Sequence, residues 1–321
     1  ARAFQGNTVL ESVELPEGLT TIYAYAFEKC TSITSIHLPD SIATMGYKVF
    51  GGCTNLASVN YPVNWVNSPG GNGSNSYEYG NVFSGCTKLT EVEIPEGVKA
   101  IAPHSFANLT TLTRVTLPSS LTEIGRYAFA GATGLTEVTI PENTQIIRDH
   151  AFADCTNLTQ INLPEGLTTI YAYAFENCTG ITSIHLPDSI TTLGYKVFGG
   201  CSNLVSANYP VNWVNSPSGN GSNSYEYGNV FSGCPKLTEI EIPEGVKVIA
   251  PHSFANLTTL TGVTLPSSLT EIGAYAFAGA TGLTEVTIPE NTQIIRHHAF
   301  ADCTNLTQIN LSEGLTTIYA Y

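Results

Sequence analysis

Apolar side chains recur along this chain with a long period. In Leu89-Thr90-Glu91-Val92-Glu93-Ile94 they stand at the first, fourth and sixth places, with polar ones between. Val92 and Ile94 alternate with Glu91 and Glu93, the period of two that marks a strand with one buried face. Pro95 has no N–H to donate and ends the ladder. Pro95-Glu96-Gly97 is a turn signal, with Gly97 free to take positive φ. Val98, Ile101 and Phe106 return to the core from the opposite wall, through a short strand and a helical turn. Then the pattern begins again.

Its most regular member is a Phe, found at Phe4, Phe27, Phe50, Phe83, Phe106, Phe129, Phe152, Phe175, Phe198, Phe231, Phe254, Phe277 and Phe300. The step from Phe4 to Phe27 is kept throughout, except that those from Phe50 to Phe83 and from Phe198 to Phe231 are longer by ten. One such unit cannot bury its apolar face alone, whereas stacked units share a continuous core, so the repeat predicts a solenoid. A second, longer period lies above the first. Phe4 matches Phe152, and residues 1–173 and 149–321 differ at 25 positions, ten of them within the first fourteen. That reads as a tandem duplication, so sameness between the copies reports descent and not function. The expected organisation is one solenoid domain over 1–321, with super-repeats 1–148 and 149–296 and a partial third at 297–321. Both ends fall in mid-motif, as in a piece of a longer chain.

The run L-T-x-[IV]-x-[IL]-P-x-x-[IVL]-x-x-I-x-x-x-A-F-x-x-C-x-x-L, nearly complete from Leu158 to Cys178 and from Ile181 to Cys201, resembles the BspA-like (Treponema-type) leucine-rich repeats. The resemblance covers the whole chain. It implies an α/β solenoid: a right-handed superhelix of about 13 turns, each of roughly 23 residues, with a parallel β-sheet on its concave face. It also implies a secreted or cell-surface location, adhesion to host proteins, and no enzyme activity. The ten-residue insertions after Phe50 and Phe198 depart from the basic motif.

Charge narrows the partners. A net charge of −14 and a pI near 4.8 argue against nucleic acid, whose phosphates need clustered Lys and Arg. They argue equally against an anionic membrane surface. No apolar run approaches the roughly 20 residues of a spanning helix, so no membrane insertion is expected.

The residues that could carry chemistry point to structure instead. All eight cysteines, Cys30, Cys53, Cys86, Cys155, Cys178, Cys201, Cys234 and Cys303, follow a repeat Phe by three. Leu109, Ala132, Leu257 and Ala280 hold the same register, so the slot is small and buried, and reduced structural thiols are expected. There is no C-x-x-C pair, and a linear stack of thiols does not make a tetrahedral metal site. His104 and His150 share a register two turns apart, too far for one metal, and are expected at the surface with the other histidines. No nucleophile elbow or phosphate loop occurs. No catalytic residue, metal or cofactor is expected.

Two surfaces compete for a binding role. The first is the insertion region Asn60–Asn81 and its copy Asn208–Asn229, which hold both tryptophans. Here Trp65 and Trp213 are the expected anchors, with Tyr77, Tyr79, Tyr225 and Tyr227 as side walls for a protein or a glycan. Tyr61 and Tyr209, in core register, are expected to pack. The second is the concave strand face, with His37, Glu91, Glu93, Arg114, Glu137 and His185 among its outward residues. Glu91, Arg114 and Glu137 fall in one column, suited to a surface ion-pair row. The expected function is a non-enzymatic, extracellular binding module for a protein such as a host surface or matrix protein. A glycan-binding module and a passive spacer are the alternatives, and end-to-end self-association is expected of uncapped termini.

Overall fold

The computed structural model describes residues 1–68, 81–215 and 229–320. Among them stand 23 strands of two or three residues each. Neighbouring strands are parallel, with each residue opposite its equivalent in the next repeat, as in Glu91 opposite Arg114 and Ile101 opposite Ile124. The chain separates into two compact units, Ala1–Asn162 and Leu163–Tyr321. No helix among the described residues is long and apolar enough to cross a membrane.

Each unit has two walls. In the first unit the longer-strand wall pairs Ser35–Ile36 with Ser58–Val59, Glu91–Glu93 with Arg114–Thr116, and Glu137–Thr139 with Gln160–Asn162. The return wall runs Ala100–Ile101, Glu123–Ile124, Ile146–Ile147. In the second unit the longer-strand wall pairs Ser183–Ile184 with Ser206–Ala207, Glu239–Glu241 with Gly262–Thr264, and Glu285–Thr287 with Gln308–Asn310. Its return wall runs Val248–Ile249, Glu271–Ile272, Ile294–Ile295, Thr317–Ile318. Alternation decides what faces inward: Val92 and Ile94 are buried while Glu91 and Glu93 are exposed.

The arch between the walls corrects one expectation. Among the described residues it contains no helix. In most turns two residues, two before and two after the Phe, hold positive φ, and a right-handed helix cannot pass through them. Around Phe106 these are His104 (φ 57°) and Asn108 (φ 56°). Their N–H groups and that of Phe106 donate to the next turn instead, at Arg126, Ala128 and Ala130, over 2.9, 2.8 and 2.7 Å. The arch is therefore a third ladder running along the stack. The later position is rich in Gly, Asn and Asp, which tolerate this conformation. The earlier one holds Arg, Tyr, His and Lys, and where His and Tyr follow one another the cost is partly offset by stacking described below.

Inside, the Phe rings form a column. In the first unit successive centroids from Phe4 to Phe27, Phe50 and Phe83 lie 5.0, 5.4 and 5.6 Å apart, with planes within 8° of parallel. Burying each of Phe27, Phe50 and Phe83 stabilises the fold by roughly 1.5–3 kcal/mol, while Phe4 stays about half exposed. The step from Phe50 to Phe83 spans the insertion without a break, and Phe198 to Phe231 does the same at 5.8 Å. In the second unit the ladder itself continues across the inserted residues, through the bridge of Asn208 with Glu241.

The cysteines pack beside this column, none of them joined in a disulfide. The thiols also have a polar task, which their register in the sequence does not announce. Cys53 Sγ donates to the Phe27 carbonyl at 3.1 Å, Cys155 to Phe129 and Cys201 to Phe175, each 26 residues earlier. Burial holds the Cys53 and Cys155 thiols protonated, raising both pKa values to about 12.

Candidate binding surface

The insertion region is where structure and expectation part. Tyr77, Tyr79, Tyr225 and Tyr227 lie outside the described residues. Trp65 and Trp213 do not project as anchors: they are 1% and 0% exposed. Trp65 packs edge-on against Phe83 and Phe106 at 6.3 and 6.5 Å and lies 4.8 Å from Tyr61. Its indole N–H donates to the Asn67 carbonyl at 3.0 Å, and Trp213 donates likewise to Asn215 at 2.9 Å. The physical reason is register. Thr44 bridges Asn67, so Tyr61-Pro62-Val63-Asn64-Trp65 overlies Leu38-Pro39-Asp40-Ser41-Ile42, and Trp65 fills the Ile42 core slot.

Tyr61 packs as expected. Its hydroxyl accepts from the Ala102 N–H at 2.8 Å and donates to the Trp65 carbonyl at 3.3 Å. Asn60, counted with the insertion by sequence, also belongs to the frame. Its amide pairs with both the N–H and the carbonyl of Leu38 at 2.7 Å.

The exposed residues of the longer-strand face remain. In the first unit a groove of about 840 Å³ brings together His37, Glu91, Glu93 and Arg114, with Asp40 and Thr116. Arg114 lies 3.8 Å from Glu91, with both side chains mostly exposed, a contact worth under about 1 kcal/mol. Glu137 stands exposed two strands beyond Glu91, outside this groove. In the second unit a groove of about 1210 Å³ is lined by Glu239, Glu241, Glu285 and Glu290. His185 is exposed near the start of that unit's face and does not line the groove.

The stronger ion pairs lie on the return wall and were not anticipated. Arg148 grips Glu123 through two bonds of 2.8 and 3.0 Å, and Arg296 grips Glu271 at 2.7 and 3.1 Å. A 25-residue offset across neighbouring turns is the signal that could have found them. These bidentate pairs brace adjacent turns.

Two histidines expected at the surface are buried, His104 and His252. They belong to ring ladders built from the positive-φ residues before the Phe. His104 stacks on Tyr127 at 4.6 Å and Tyr127 on His150 at 4.5 Å. In the second unit His252, Tyr275 and His298 stack at 4.6 and 4.5 Å. Burial, then the Arg126 charge, lowers the pKa of His104 and His150 to about 4. Burial, then His297, does the same for His252. No group of three or more His, Cys, Asp or Glu among the described residues could hold a metal ion.

The profile of the BspA type leucine rich repeat region, in six copies, matches residues 1–71, 79–210 and 227–321. The chain belongs to this family. Solved structures of leucine-rich repeat proteins are similar to this chain, and one from Bacteroides ovatus bears out the solenoid. That protein is 30% identical, with a TM-score of 0.74 over 98% of this chain and 76% of that one. Another, from Eubacterium ventriosum, is 20% identical with a TM-score of 0.50, covering 88% of this chain and 80% of that one, and speaks to fold alone. A leucine rich cell surface protein from Faecalibacterium prausnitzii is 23% identical, with a TM-score of 0.46 over 91% of this chain and 83% of that one. No curated protein matches the sequence. BspA-type membership fits a protein-binding or structural role, and such repeats are typically binding modules without enzyme activity.

Proposed function

We propose that this BspA-type solenoid is a non-enzymatic binding module that presents its longer-strand face to a protein ligand at a cell surface. The observation that carries the reading is the pair of open grooves on that face, one in each unit. Their linings hold exposed polar side chains at alternate strand positions, over a core that fixes the strands beneath. Rigid support lowers the ordering cost of binding, which favours a face built on strands. The glycan reading, through the Trp and Tyr residues of the insertions, loses Trp65 and Trp213 as stacking platforms, because both are committed to the core. The family resemblance supports the surface location.

The test is a panel of host surface and matrix proteins beside a glycan array, probed with the parent and with Thr116→Lys plus Thr264→Lys. Both positions are exposed mid-face. A protein ligand is expected, with at least tenfold weaker binding to the double variant and unchanged melting. Undiminished binding to the variant would move the site off this face, and silence across both panels would favour a spacer.

A further inference from the structure

The two units carry the same face with one difference of consequence. Arg114 stands on the strand beside Glu91; its counterpart in the second copy, beside Glu239, is Gly262. Nothing in the backbone calls for glycine there. Gly262 lies within an ordinary strand, and a Cβ built on it would meet nothing within 4 Å. Glycine weakens a strand, and inside one it often marks the close approach of another chain. On the flanking strands stand Glu239 and Glu285, both exposed. At strand spacing their backbones are about 9.6 Å apart, with the glycine between.

Every charged residue lining the groove around this gap is acidic. Glu239, Glu241, Glu244, Glu285 and Glu290 line it, with no Lys, Arg or His among the lining residues. In the first unit a guanidinium already occupies the equivalent column, Arg114 against Glu91 at 3.8 Å. A metal ion is a poor occupant, since no described cluster could ligate one. A planar guanidinium suits the gap better, because its five donors can reach carboxylates on both sides.

We propose that the second unit binds an extended basic segment of a protein partner, with an arginine side chain entering the gap over Gly262 between Glu239 and Glu285. The segment supplies the charge that the first unit carries in its own chain. This rests on the longer-strand face being the binding surface, and it adds the chemistry of the occupant.

The experiment pans a displayed random octapeptide library on the full chain and, in parallel, on Gly262→Arg, which restores the residue of the first unit. Expected is enrichment of peptides with an arginine at one position, bound at least tenfold more weakly by Gly262→Arg and by Glu239→Gln with Glu285→Gln. Replacing that arginine with citrulline should cost a similar factor. Melting of each variant is measured alongside, and Gly262→Ala, which leaves the gap open, should bind like the parent. Peptides lacking basic residues that are nevertheless lost in Thr264→Lys would overturn the arginine gap while leaving the face as the binding surface. Peptides indifferent to every substitution on the face, or no enrichment at all, would overturn both.

Discussion

His104 and Tyr127, one repeat apart in the chain, lie ring on ring at 4.6 Å, and both hold positive φ, 57° and 55°. A left-handed conformation costs such residues about 1–2 kcal/mol each. Aromatic stacking returns roughly 0.5–1.5 kcal/mol per pair, and the stack continues to His150. The strain is thus shared along a ladder and not isolated at a site.

That ladder makes the fold acid-sensitive. The unfolded chain protonates His104 near pH 6.5, while the folded one keeps it neutral down to about 4. The unfolded state therefore binds protons first, so stability is full above 6.5 and falls as the pH drops from 6.5 towards 4. The loss should be roughly 1–3 kcal/mol for the buried His104. Denaturant melts at pH 7 and pH 4.5 check it, and His104→Asn should reduce the difference by the share of His104, leaving those of His150 and His252. Equal stability of the parent at both values would refute the neutral stacked histidine.

The tryptophans should behave as core residues. Trp65→Ala is expected to cost about 3–5 kcal/mol, the range for deleting a buried large aromatic. Tyr61→Phe removes the hydroxyl that serves the Ala102 N–H, at about 1–3 kcal/mol. Equilibrium unfolding measures both. A Trp65→Ala chain that melts like the parent would restore Trp65 to the surface.

The repeat, the strand face and the Phe column are legible in the sequence because the same apolar places recur in every turn. The tryptophan is not, because its place depends on where the insertion begins. Starting it at Asn60 puts Trp65 in a loop; matching Tyr61-Pro62 to Leu38-Pro39 keeps Trp65 in the frame, opposite Ile42. The positive-φ arch is half visible. Gly52, Asn108 and Asp154 announce it after the Phe, while Tyr25, His104 and Lys48 before it give no sign. Their conformation is imposed by the neighbouring turn, and no local propensity reports it. Burial of His104 follows from the same stacking, which one period read alone does not reveal.

The two kinds of ion pair should separate in a substitution series. Arg148→Ala breaks a bidentate, half-buried pair and is expected to cost about 1–2 kcal/mol after allowing for solvent screening. Arg114→Ala should cost under about 0.5 kcal/mol. Urea midpoints at low and moderate salt distinguish them. Equal losses would mean that the return-wall pair braces nothing.

The thiols should be silent in the folded state. With burial holding Cys53 and Cys155 near pKa 12, a thiol reagent at pH 8 meets almost no thiolate until the chain opens. All eight should react promptly in denaturant. A native Cys–Cys crosslink found by mass spectrometry would contradict the donation of the thiols to Phe carbonyls.

The unbroken ring column across the insertion has a consequence for how such a protein changes over generations. Between Asn67 and Asn81, and again between Asn215 and Asn229, the sequence carries ten extra residues, yet Phe50 still stacks on Phe83 and Phe198 on Phe231. Nothing in the stack records how many residues intervene. Each junction is therefore a port where length and composition can vary without renegotiating the core, and where a foreign peptide could be displayed at a fixed place on the scaffold.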